Sequence, residues 1–145
     1  MIKVLVFGAF DGLHKGHLDF FRQALGSARG KLDEKPYLVV VVGRDSSVKR
    51  VKGKTPKYNE NERLKMAQGN KLVNEVLLGK EEHDPRYDSY DIIKEINPDV
   101  ICLGYDQAQF LEKLKSELKK MDLNPKIKIL KPYKPEEFHS SIINK

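Results

Sequence analysis

Six consecutive apolar residues, Tyr37–Val42 (YLVVVV), run between Pro36 and Gly43 without a polar interruption. A half-buried strand alternates apolar and polar side chains, whereas this run has no polar face to offer water, so it must be covered on both sides. That is the habit of a strand inside a parallel sheet with helices on each face. The rest of the chain supplies the partners. Ile2–Phe7 (IKVLVF) is a second apolar strand stopped by Gly8, and Leu18, Phe21, Ala24, Leu25 and Ala28 recur at helical spacing across 17–29, with Gly30 as a stop. Asn59, with Glu62 three residues on, predicts a capped helix through about residue 70. Residues 44–58 read as a basic loop and 79–89 as a polar one. Short strands follow at Glu75–Leu78, Asp99–Leu103 and Ile127–Leu130, separated by helices over Tyr90–Ile96, which Asn97-Pro98 ends, and Gln109–Met121. Strands and helices thus alternate along the chain, which predicts one doubly wound α/β domain over 1–145, Rossmann-like, with ligands outside the carboxyl ends of its strands. No internal repeat or low-complexity segment interrupts it.

Charge narrows the class of ligand. The chain of 145 residues carries 27 Lys+Arg against 21 Asp+Glu, and the net +6 matches that of residues 44–71 alone. Residues 72–110 carry −6. A basic segment of this kind suits a polyphosphate or nucleic acid, or is simply a solvated face. The longest apolar run falls far short of the roughly 20 residues a bilayer crossing needs, and no signal-peptide pattern follows Met1. Cys102, the one cysteine, forms no internal disulfide and no cysteine metal cage. These features predict a soluble cytoplasmic protein.

The most informative segment joins the first strand to the first helix: Gly8-Ala9-Phe10-Asp11-Gly12-Leu13-His14-Lys15-Gly16-His17. A glycine-rich turn that ends at a helix N-terminus presents unpaired N–H groups and the positive end of the helix dipole, a ready phosphate site. Gly16 allows close approach of backbone to ligand, and His14 and His17 stand at the helix mouth, where imidazoles can donate to phosphate oxygens. By spacing alone the pair is also compatible with a metal site or with capping.

The full string resembles the HxGH nucleotidyltransferase superfamily, and within it the cytidylyltransferase-like branch; the nearest likeness is to the archaeal-type FAD synthetases. Gly8-Ala9-Phe10-Asp11 is similar to that group's G-T-F-D turn, with Ala9 where Thr is usual. Gly43-Arg44-Asp45-Ser46-Ser47-Val48-Lys49 resembles its A-R-D-x-x-V-K, Glu60-Asn61-Glu62-Arg63 its E-x-x-R, Leu103-Gly104-Tyr105-Asp106-Gln107 its L-G-x-D-Q, and Ser140-Ser141 its late S-S-x-I. The resemblance implies a five-stranded parallel sheet in the order 3-2-1-4-5 with helices on both faces. It implies that His14 and His17 bind triphosphate oxygens and stabilise the transition state, joined as catalytic residues by Lys54 and Arg63. Nucleotide contacts would come from Ala9, Phe10, Asp11, Gly104, Asp106, Ser140 and Ser141, and Lys49, Lys52, Lys54 and Arg63 would gather on the acceptor phosphate. Mg²⁺ would ride on the triphosphate without a protein cage, Asp11 being the one candidate contact. The terminal helix after Ser141 is expected to be short or truncated.

The reaction so implied is transfer of a nucleoside monophosphate from a triphosphate to a phosphate-bearing acceptor, with pyrophosphate released. ATP and FMN, giving FAD, are the first expectation. CTP with glycerol 3-phosphate is the first alternative, phosphopantetheine adenylyltransfer a more distant one, and a non-catalytic nucleic-acid binder using residues 44–71 the reading from another class. Dimers are common in the resembled branch. Cys102 and the remaining histidines, His83 and His139, read as core or solvated residues, and Phe10, Tyr58 and Tyr105 as packing or stacking side chains.

Overall fold

A computed structural model describes residues 1–28, 34–79 and 90–133. The apolar run forms β2 (Pro36–Val42), and its last five residues are all buried. β2 lies parallel to β1 (Ile2–Gly8), with Val4 opposite Leu38 and Val6 opposite Val40, and on its other side to β3 (Glu75–Leu78). β4 (Val100–Leu103) pairs with β1, and β5 (Lys126–Ile129) with β4. The sheet has five parallel strands in the order β3-β2-β1-β4-β5, as expected.

Alternate residues of the two central strands enter different cores. Leu38, Val40 and Val42 join Val4 and Val6 beneath Phe21 and Ala24 of α1 (Lys15–Ser27) and Ala67 of α3 (Glu60–Gln68). Val39, Val41 and Leu5 face the opposite way, against Ile92, Ile93 and Ile96 of α4 (Tyr90–Ile96) and Leu114 and Leu118 of α5 (Leu111–Lys120). Each buried valine contributes on the order of 1.5 kcal/mol or more, so a run apolar on both faces stabilises two layers at once. β5 (KIKI) is an edge strand and stays mostly exposed; its lysines discourage pairing with another chain.

Two expectations need correction. Residues 44–58 are not a loop throughout: Asp45–Lys52 form a helix, α2. Its basic composition hid a favourable arrangement, with Asp45 at the positive N-terminal end, Lys49, Arg50 and Lys52 at the negative C-terminal end, and Ser47 and Val48 turned inward. Gly53, at φ +77°, ends it in the left-handed conformation and donates its N–H to Lys49 O at 2.7 Å. The helix expected over 109–121 is preceded by a 3₁₀ turn, Tyr105–Phe110, and becomes α-helical only at Leu111. α1 starts at Lys15 and is capped at Ala28; the Gly30 stop, His83, His139 and most of the 79–89 loop lie outside the described residues. Among the described residues no helix is long and apolar enough to cross a membrane.

Candidate active site

β1 delivers Gly8 to the carboxyl edge of the sheet, and the turn that follows is bent by two residues of positive φ, Phe10 (49°) and Gly12 (87°). Phe10 holds an unusual conformation for a bulky residue because its ring is locked in the core, 4% exposed, with centroids 5.3 Å from Phe21 and 5.4 Å from His17. A turn so anchored sets the start of α1 in a fixed place.

That start is capped by the histidines themselves. His14 Nδ1 accepts from the Gly16 N–H at 3.0 Å, and His17 Nδ1 accepts from the His14 N–H at 3.3 Å. The rings stack, centroids 3.9 Å apart. An Nδ1 that accepts carries no proton, so a neutral ring in this arrangement is assigned the Nε2–H tautomer; in His17 that Nε2–H is the donor left for the Gly12 carbonyl. Burial, then the neighbouring His14 and Lys52, push the His17 pKa down to about 4, against a backbone hydrogen bond with Gly12 that favours the charged ring. Gly16 permits the stack: a Cβ there would stand 2.8 Å from His14 Cε1.

A cleft of about 770 Å³ opens above this turn at the point where strand order reverses. Ala9, Phe10, His14 and His17 line its centre, Val48, Val51 and Lys52 of α2 one wall, and Gly104, Asp106 and Phe110 the other. Val51, Tyr105 and Phe110 are exposed apolar side chains at its surface, 60%, 62% and 41% open. Ser140 and Ser141 lie outside the described residues.

The remaining expected residues divide sharply. Lys49 and Lys54 are exposed and do not line the cleft; of the three lysines only Lys52 does. Asp11 does not reach it either. Its carboxylate accepts from the Lys57 and Tyr58 N–H groups at 2.6 and 2.8 Å, tying the turn to the segment before α3. Partial burial raises the Asp11 pKa, but those two bonds, with Arg63 and Lys52, outweigh it and leave the carboxyl below its ordinary value. Arg63, expected on a phosphate, is 0% exposed and fully engaged within the protein. It donates from Nε to Tyr58 O (2.9 Å), from one terminal nitrogen to Ala9 O (2.9 Å) and Gly43 O (2.8 Å), and from the other to Asp45 Oδ1 (2.6 Å). In this placement it is a strut joining the ends of β1 and β2 to α2 and α3.

Sequence reasoning gave no role to the residues that complete the frame. Arg44 donates to Gly79 O (2.6 Å) and Glu60 (2.9 Å), and Glu60 also accepts from the Asp45 N–H (2.9 Å). Gln107 accepts from the Gly104 N–H (2.8 Å) and donates to Phe7 O (3.0 Å), bracing β4 against β1. Glu60 and Gln107 stood inside the quoted motifs, yet nothing in their spacing said which backbone groups they would meet. Among the described residues no three His, Cys, Asp or Glu side chains converge to hold a metal ion.

Comparison with known proteins settles the family. The family model for cytidylyltransferase-like proteins matches residues 5–145. The chain belongs to that family. An FAD synthase of Thermococcus sibiricus is 40% identical over 128 residues, covering 87% of this chain and 78% of its own. One from Methanobrevibacter ruminantium is 36% identical with 99% of each chain covered. Among solved structures, a lipopolysaccharide core biosynthesis protein from Thermoplasma volcanium superposes with a TM-score of 0.77 at 34% identity, covering 92% of this chain and 99% of its own. The chain is therefore a nucleotidyltransferase with the cytidylyltransferase-like arrangement of sheet, turn and helix.

Proposed function

We propose that this protein adenylylates FMN with ATP, forming FAD and pyrophosphate, within one domain spanning 1–145. The observation that carries the reading is the reciprocal histidine cap at the head of α1, set where the cleft crosses the end of β1. Its FAD synthase relatives supply the substrates.

An FMN phosphate oxygen attacks the α-phosphorus of ATP; the new P–O bond forms as the bond to the β-phosphate oxygen breaks, and pyrophosphate leaves with that electron pair. No covalent enzyme intermediate is needed, so the protein's task is to position two anions and offset their charge. The Nε2–H groups of His14 and His17, the latter turned from the Gly12 carbonyl, donate to triphosphate oxygens, and the positive end of the α1 dipole favours the anion although the Gly16 N–H is already spent on the His14 cap. A neutral His17 is a donor with little desolvation cost of its own; contact with the triphosphate would raise its pKa again. Lys52, on the α2 wall, meets phosphate as a mobile charge, while Arg63 and Asp11 hold the loops that aim these groups. A Mg²⁺ bound with ATP would offset phosphate charge, and among the described residues no cluster of ligating side chains would hold it apart from the nucleotide. The lone cysteine supports the cytoplasm as the compartment.

Pyrophosphate release in Mg²⁺, with ATP or CTP crossed against FMN, glycerol 3-phosphate and phosphopantetheine, tests this. Release with ATP and FMN alone, with FAD as product, is expected. Release with CTP and glycerol 3-phosphate would keep the mechanism and overturn the substrates.

A further inference from the structure

The ladder between β4 and β5 reaches Leu130, whose N–H donates to Leu103 O at 2.7 Å. The next residue turns to a side chain instead. Gln23 of α1 accepts from the Lys131 N–H at 2.9 Å through Oε1 and donates to Lys131 O at 3.0 Å through Nε2. Both backbone groups of one residue are thereby satisfied by one amide, as a neighbouring strand would satisfy them. A third bond fixes the amide's sense. Nε2 also donates to Asp19 Oδ2 at 2.8 Å, one helical turn earlier. A carboxylate only accepts, so the amide nitrogen must face Asp19 and the oxygen is left for the Lys131 N–H.

The consequence lies at the cleft. Lys131, Pro132 and Tyr133 line it, on the β4 side with Gly104 and Asp106. A Cβ on Gly16 would be 3.7 Å from Tyr133 Cβ, so the segment passes over the histidine cap. We propose that Gln23 is a positioning residue: it acts as one further rung of the sheet, drawing the chain after β5 onto α1 so that Lys131–Tyr133 walls the nucleotide arm of the cleft. The inference rests on the nucleotidyltransfer reading above, and needs only that ATP occupies that arm. Gln23 touches no substrate; it acts through the backbone it holds.

Gln23→Ala and Asp19→Asn test it, by steady-state kinetics, calorimetric titration with a non-hydrolysable ATP analogue, and amide hydrogen exchange. In Gln23→Ala the KM for ATP and the Kd for the analogue should rise about fivefold to tenfold, the KM for FMN should stay within about twofold and kcat within about threefold. The Lys131 amide should exchange at least about tenfold faster while the Leu130 amide, held by β4, keeps its protection. Asp19→Asn retains an acceptor oxygen and should move the same quantities less. A Lys131 amide that exchanges as in the wild type overturns the proposal. So does a loss in which both KM values and kcat worsen together with melting temperature, the mark of a merely structural residue. A wild type that binds the analogue but makes no FAD would overturn the acceptor and leave this inference standing.

Discussion

Removing the Arg63 guanidinium should destabilise the protein before it affects chemistry. Arg63→Ala strips the donor from three carbonyls, those of Ala9, Gly43 and Tyr58, and the cation from Asp45. Asp45 is 40% exposed and can rehydrate, so the charge term is the smaller part. Three partly buried acceptors at roughly 1 kcal/mol each, plus the void left by a fully buried side chain, give a loss of about 3–5 kcal/mol. For a chain of 145 residues that corresponds to a fall of about 10–16 °C in melting temperature, read by circular dichroism or calorimetry. Arg63→Lys should recover only part of it, since one ammonium cannot span the four partners that the planar fork reaches. A melting temperature within about 2 °C of wild type, accompanied by lost FAD synthesis, would refute the strut and return the guanidinium to the substrate.

Three further outcomes follow from the same geometry. The His17 imidazole should titrate near pH 4 by NMR, and the stability gained by keeping it neutral should be complete above the unfolded value of about 6.5 and lost as pH falls toward 4; His17→Asn should flatten that slope in urea unfolding, and an unchanged slope would contradict the assignment. Gly16→Ala should leave the melting temperature nearly unchanged yet cut kcat at least about tenfold, because the new Cβ pushes the His14 ring out of the stack; unaffected turnover would show that the stack is incidental. Lys52→Ala should raise the KM for a phosphorylated substrate about tenfold and Lys54→Ala by less than about twofold, since only Lys52 lines the cleft; equal effects would contradict that division.

Local pattern carried much of this protein. The unbroken apolar run of β2, the short strands around it and the helical spacing between them determine a two-faced parallel sheet, because side-chain periodicity reports directly on which faces meet water. The turn between β1 and α1 was equally legible, since glycine and histidine at the head of a helix are local chemistry. α2 was not: composition marked it as a basic loop, and what makes it a helix is Val48 finding a core and basic side chains finding a helix C-terminus. The division of labour at the site belongs to tertiary structure altogether. Arg63 and Lys52 look alike as cations in the chain, but one is enclosed by carbonyls from Ala9 and Gly43, far away in sequence, and the other is left facing the cleft. Gln23 meets Lys131 across 108 residues. A side chain's donors take whatever acceptors folding brings within 3 Å or so, and no spacing along the chain records which those will be.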